Sequence, residues 1–158
     1  MNPSGVAELL AQHPLFGSLA PGDLAQVAGC GRNVRFTTGE TILAEGEPAN
    51  SFYLLRHGRV SLETAAPGRG VIVIETLSPG DVLGWSWLLP PYRCHFDARA
   101  IEPTVALQFD GACLRTKLAA DPRLGYELLS RFAELIVDRL QATRVRLLDL
   151  YGDGQHPA

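Results

Sequence analysis

The residues best placed to do chemistry lie in one run, Gly80-Asp81-Val82-Leu83-Gly84-Trp85-Ser86-Trp87-Leu88-Leu89-Pro90-Pro91-Tyr92-Arg93-Cys94-His95. Gly84 ends a short apolar strand, and Ser86 to Leu89 reads as one helical turn. Pro90-Pro91 forbids its continuation, because proline lacks an amide hydrogen and its ring clashes with the preceding turn. A glycine leading into a helical turn presents free backbone amides at a positive dipole end, an arrangement that suits an anion. The same residues also read as a strand, a turn and a proline-rich loop carrying two core tryptophans. The local pattern leaves both readings open.

Other chemistries find less support. A cupin-type metal site needs two or three histidines and a carboxylate at close strand spacing. The four histidines, His13, His57, His95 and His156, show no such cluster. No nucleophile motif with an adjacent base appears, so an enzyme is not expected. Cys94 or His95 alone could serve as an axial haem ligand in a redox sensor, but neighbours on a strand diverge and make poor joint ligands. The three cysteines, Cys30, Cys94 and Cys113, are an odd number at wide spacings. That argues against a disulfide framework and against a four-cysteine metal or iron–sulfur site. A net charge of −3 offers no basic footprint for nucleic acid. No basic-led apolar leader and no run of eighteen apolar residues is present, so a soluble, cytoplasmic protein without membrane contact is expected.

The elements that position this run follow from length and periodicity. With 158 residues, 46% of them hydrophobic, one compact domain with a sizeable core is expected. Residues 1–32 read as helices. Ser4 caps a helix from Gly5 to about Gln12, stopped by His13-Pro14, and Pro21 opens a second that carries Leu24 and Val27 inward. Over residues 33–109 the pattern changes to short β-rich runs punctuated by glycines, which indicates an antiparallel sandwich or barrel. His57-Gly58 reads as a hairpin turn between Tyr53-Leu54-Leu55 and Val60-Ser61-Leu62. Over residues 110–152, Asp110 caps a short helix, and Asp121-Pro122 starts a long one that runs to Tyr151, with Gly152 as its terminator and 153–158 as a tail. On that helix Leu129, Phe132, Ile136, Leu140, Thr143, Leu147 and Leu150 recur at intervals of three and four. Such a seam either packs on the core or joins two copies. The helix is too long for one small barrel to cover, which favours a homodimer.

Helices, a glycine-punctuated β region, a hinge and a long helix: this order resembles the cyclic nucleotide-binding domain, and in particular the effector domains of the catabolite activator and fumarate–nitrate regulator (CRP/FNR-like) family. The resemblance is carried by Gly39, Ile42, Gly46-Glu47, Tyr53, Gly58, Val60, Gly80-Asp81 and Gly84, and by the runs Arg99-Ala100-Ile101-Glu102 and Arg139-Leu140-Gln141-Ala142-Thr143. It implies an α+β, mainly β fold: a β-roll of double-stranded β-helix or jelly-roll type, with N-terminal helices and a long C-terminal helix. It also implies a sensor or regulatory module, with a cyclic nucleotide or another small ligand as the candidate ligand. By family position the ligand-binding candidates are Leu83, Gly84, Trp85, Ser86, Arg93, Cys94, His95, Arg139 and Thr143.

In that family the run from Gly80 is the phosphate-binding cassette. A Gly-Glu pair opens a turn whose amides face the cyclic phosphate, the Glu accepts from the ribose 2′-hydroxyl, and an Arg nine positions later pairs with the phosphate. Here Gly84 is kept, but Trp85 stands at the Glu position and Cys94 at the Arg position. Arg93 is one residue early and, on a strand, faces the other way. The small residues that usually follow the Arg are replaced by His95, Phe96 and Asp97. With Trp85, Trp87, Tyr92 and Phe96 nearby, the expected pocket is filled in part by its own rings or re-shaped for a flatter, less anionic ligand. Losing the charge-assisted pair to phosphate costs about 1.5–3 kcal/mol, and with the ribose bond also lost cyclic AMP affinity should fall by roughly 10²-fold or more. Arg139, without its cassette Glu, is freed for Asp97, the Arg93 loop or solvent. Thr143 is expected to be a buried helix residue rather than a base reader. The chain stops at Ala158, before any recognition helix, so a stand-alone sensor or interaction module without direct DNA binding is expected; a protein partner is a candidate, and what the module signals to is not in the sequence.

Overall fold

In the computed structural model the described residues are 3–155, with side chains described for 5–151. The side chain of Ser4, the expected cap, and the end of the expected tail lie outside them. Two N-terminal helices, α1 (Pro3–Ala11) and α2 (Pro21–Ala28), flank a short 3₁₀ turn at Phe16–Ser18. Proline at the first position of α2 costs no hydrogen bond there, since that amide has no partner within the helix anyway.

Eight strands follow: β1 (Gly31–Phe36), β2 (Thr41–Leu43), β3 (Ser51–His57), β4 (Val60–Ala66), β5 (Gly70–Leu77), β6 (Val82–Leu83), β7 (Asp97–Ala100) and β8 (Thr104–Asp110). They form two four-stranded sheets, ordered β1-β8-β3-β6 and β2-β7-β4-β5, and every pairing is antiparallel. This is the β-roll that the family resemblance implied, and it agrees with the antiparallel sandwich or barrel read from the glycine-spaced runs.

One turn differs from expectation. β3 and β4 lie in different sheets, so His57-Gly58 does not close a hairpin. Gly58 instead carries the chain across from one sheet to the other, at φ +92°. A Cβ there would sit 2.4 Å from the Pro103 carbonyl oxygen, so only glycine fits.

Strand β3 explains how the layers are held. Phe52 and Leu54 face the helices, while Tyr53 and Leu55 face the space between the sheets, and all four are buried. A strand covered on both faces reads as a continuous apolar run rather than an alternation. On the helix side an aromatic cluster forms around Phe52, whose ring stacks on Phe109 at 4.6 Å and on Trp87 at 5.4 Å and meets Phe132 edge-on at 4.9 Å.

Helix α3 (Gly111–Ala120) is capped by Asp110, which accepts from the Cys113 amide at 3.0 Å. Helix α4 (Pro122–Gln155) continues past Gly152, so that glycine does not terminate it. A glycine inside a helix costs only about 1 kcal/mol relative to alanine, which the rest of a long helix can absorb.

The cysteine count also misled. Cys30, at the end of α2, is disulfide-bonded to Cys113 in the first turn of α3, leaving Cys94 as the free thiol. The two are 83 residues apart in sequence and are brought together only by the fold.

Candidate ligand site

The cassette follows β6. Gly84 takes φ +90°, and a Cβ there would lie 3.3 Å from the Ser51 carbonyl oxygen, so glycine lets the chain turn close against β3. The segment beyond it is a single turn closed by Leu88 N–H donating to Trp85 O at 3.1 Å, not a helix. One turn aligns too few peptide dipoles to make a helix terminus. Trp87, expected near the pocket, is instead wholly buried in the aromatic cluster.

The loop that follows is tied to α3. Arg115 donates to the Trp87 carbonyl at 2.6 Å and lies over the Tyr92 ring at 4.3 Å. Helix α4 begins at Pro122, one residue beyond the end of α3.

The register counted from sequence places Cys94 inward. Cys94 is buried, whereas Arg93 and His95 on either side are exposed, as alternation along extended chain requires. Arg93 donates to the Gly46 carbonyl at 3.4 Å and does not enter the interior. Burial, with the Glu47 charge adding to it, pushes the Cys94 thiol above its ordinary value, which keeps it protonated and unreactive.

Behind Cys94 lies a small chamber lined by Leu43, Ala49, Ser51, Gly84, Ser86, Cys94, His95 and Phe96. Its volume is about 10 Å³, room for one water at most and for neither a phosphate nor a macrocycle. No arginine or lysine lines it.

A second, larger chamber of about 300 Å³ lies between the β-roll and α4, lined by Leu62, Ile74, Glu75, Trp85, Phe96, Ile136, Arg139, Leu140 and Thr143. Phe96 is the one residue common to the two linings. It therefore forms part of the wall of each.

Arg139, Thr143 and Trp85 all line this second chamber, and the contacts of the first two differ from expectation. Arg139 is not freed. It pairs with Glu75 at 2.6 Å, donates to the Val82 carbonyl at 3.3 Å and lies 5.2 Å from the Trp85 ring centroid. Sequence reasoning missed Glu75 because it belongs to β5, remote from the cassette in sequence. Asp97, offered as a partner for Arg139, accepts instead from the Glu45 amide at 2.8 Å. Thr143 is exposed rather than buried, and its hydroxyl donates to the Arg139 carbonyl at 2.9 Å. Leu83 lines neither chamber and packs in the core between the sheets.

The α4 seam divides in two. Phe132 is buried in the chain's own core cluster with Leu128, and so is unavailable to a partner. Leu129, Ile136, Leu140, Leu147 and Leu150 remain between 38% and 70% exposed. Among the described residues no three His, Cys, Asp or Glu converge as a metal site, and no helix is long and apolar enough to cross a membrane.

The comparisons agree with this fold. The family profile for the cyclic nucleotide-binding domain matches residues 33–121. A CRP-like cAMP-activated global transcriptional regulator of Mycobacterium tuberculosis is 28% identical over 143 residues, 90% of this chain and 62% of the regulator. The chain therefore spans about three fifths of that relative's length. Among solved structures, a candidate cyclic nucleotide-binding protein of Geobacter metallireducens superposes with TM-score 0.76 at 27% identity, covering 89% of this chain and 98% of that one. A cyclic nucleotide-binding domain of Methylobacillus flagellatus superposes with TM-score 0.78 at 21% identity, covering 93% of this chain and 83% of that one, and speaks to the fold alone. The chain belongs to the cyclic nucleotide-binding domain family, as a regulatory domain of the CRP/FNR type.

Proposed function

We infer that this chain is a regulatory module that has kept the family's scaffold and given up its grip on a cyclic phosphate. One observation carries the reading: the chamber where Gly84, Ser86 and Cys94 meet holds about 10 Å³ and has no cation on its wall. A phosphate diester brought there would lose its water and gain no counter-charge, which is the costly combination for an anion. Trp85 supplies no acceptor for a ribose hydroxyl.

The module acts without catalysis and pairs with a second copy through the exposed leucines of α4. Its α3 couples the cassette loop to that helix through Arg115. The cytoplasm is the proposed location, and DNA contact is not assigned to this chain, whose net charge is −3.

Mass spectrometry of material released on denaturing freshly purified protein tests the reading. No cyclic nucleotide should be released. One cyclic AMP or cyclic GMP per chain would overturn it.

A further inference from the structure

We propose that the Cys30–Cys113 bond is a reversible modification site, opened in the folded protein by a small thiol that carries a fixed negative charge. The site lies apart from the cassette and stands whether or not a cyclic nucleotide binds.

Access comes first. A cleft of about 320 Å³ is lined by both cysteines and by Arg32, Ser51, Gln108 and Asp110. That volume lies at the low end of small-molecule sites and is ample for a thiol of a few heavy atoms. Cys113 is half-buried, whereas Cys30 is 8% exposed. Thiol–disulfide exchange depends on which sulfur can be reached, so Cys113 is the sulfur attacked.

Charge selects the thiol. Arg32 donates through Nε to Gln108 at 2.9 Å, and among the described residues no carboxylate pairs with its guanidinium. Lys117 adds a second cation: its Nζ bonds the Gln26 carbonyl at 2.7 Å and stands 2.8 Å from where a Cβ on Gly29, a lining residue, would lie. Asp110 opposes them, with one carboxylate oxygen taken by the Cys113 amide at 3.0 Å. Two cations against one carboxylate favour an anionic thiol over a cationic one.

The fold does not depend on this bond alone to keep α2 beside α3. The Asp110 amide donates to the Cys30 carbonyl at 2.9 Å, and Lys117 holds Gln26 near the end of α2. Opening the bond therefore leaves the two sulfurs close enough to close again. In the cytoplasm proposed above, the disulfides that do occur are mostly transient or redox-sensing ones.

The exchange balances. The incoming thiolate forms a bond to Cys113 Sγ, the Cys30–Cys113 bond breaks, and its electron pair goes to Cys30 Sγ, which takes a proton from water. A second thiolate then attacks the sulfur of the attached thiol, releasing Cys113 and a symmetrical small-molecule disulfide. The protein pair gains two electrons and the two thiols lose them. The symmetrical disulfide runs the same steps backwards.

The test compares thiols on one two-carbon skeleton at equal thiolate concentration and low salt: 2-mercaptoethanesulfonate, 2-mercaptoethanol and cysteamine. The native full chain meets each at millimolar concentration, acid stops the reaction, and alkylation of the unfolded chain with mass spectrometry counts opened bonds. The sulfonate should open the bond at least about threefold faster than cysteamine, with mercaptoethanol between them, and about 0.5 M salt should close most of that gap. Arg32→Gln should narrow it too. Asp110→Asn, which keeps a helix cap while removing the charge, should speed the sulfonate. With the symmetrical disulfide of the sulfonate as reagent, Cys113 in Cys30→Ser should be modified at least about tenfold faster than Cys30 in Cys113→Ser. Buried Cys94 should stay unmodified in the native chain.

An opening rate independent of which thiol is used and of its concentration would mean that only unfolding exposes the bond, and would overturn the proposal. So would cysteamine as the fastest reagent. Faster modification of Cys30 than of Cys113 would overturn the assignment of the attacked sulfur. Should either cysteine variant fail to fold, the order of rates on the wild-type chain still decides.

Discussion

Restoring the two missing cassette side chains is not enough to restore cyclic nucleotide binding; a third residue must also change. Cys94→Arg places a guanidinium where the residue is 6% exposed, beside a space of about 10 Å³. Overpacking of this kind costs about 1–3 kcal/mol, and an unpaired buried charge adds to it. Trp85→Glu puts a carboxylate beside Arg139, whose guanidinium carbon now lies 5.2 Å from the Trp85 ring centroid, in competition with Glu75. Phe96→Ala removes a ring that lines both chambers and so enlarges the space open to the sugar and phosphate. A charge-assisted bond to phosphate and one to the ribose hydroxyl are each worth about 1.5–3 kcal/mol. Together they raise affinity by roughly 10²–10⁴-fold. Calorimetry with cyclic AMP should therefore show binding by the triple variant Trp85→Glu, Cys94→Arg, Phe96→Ala, and little by the pair that keeps Phe96. Equal binding by the pair would refute the role given to Phe96. A folded triple variant that binds nothing would refute the whole account of what the cassette lacks.

Three further outcomes follow from other parts of the molecule. Leu140→Asp, at a 58% exposed position on α4, should convert a dimer to a monomer in light scattering, and a wild type already monomeric at tens of micromolar would end the dimer proposal. The Arg99 hydrogen bond holds the Glu63 carboxyl below its ordinary 4.5, and that of Arg123 holds Asp23 below 3.8. Both contribute stability in full above those values and lose it as pH falls toward the lowered ones, so melting temperature should drop steeply on acidification below about pH 4.5; Arg99→Met should flatten that drop. Finally, the Cys30–Cys113 bond closes an 83-residue separation, which the chain-entropy relation values at about 4.5 kcal/mol. Alkylation of unreduced, denatured protein should label Cys94 alone, and reduction should lower the melting temperature; labelling of all three cysteines without reductant would show that the bond does not form under those conditions.

What sequence disclosed, and what it hid, divides by how far apart the cooperating residues lie. Pro21, Asp110 and Asp121-Pro122 announce helix starts through local hydrogen bonding, and α2, α3 and α4 begin where they say. The alternation around Cys94 is equally local, and it put Arg93 outside. The Cys30–Cys113 bond, the Glu75 partner of Arg139 and the sheet crossing at Gly58 each depend on segments that only the folded chain brings together. Phe132 shows the ambiguity within one pattern. A three-four apolar spacing reads the same whether the partner is the chain's own core or another copy, and α4 uses both along its length. The place of Phe96 was hidden for a further reason: nothing in its spacing separates a ring that lines one chamber from a ring that lines two.

The central claim is that this cyclic nucleotide-binding domain has lost its phosphate site, and direct calorimetric titration of the wild-type chain with cyclic AMP and with cyclic GMP tests it most plainly. The account predicts no saturable heat from either nucleotide at tens of micromolar protein. Micromolar affinity for one of them would contradict it.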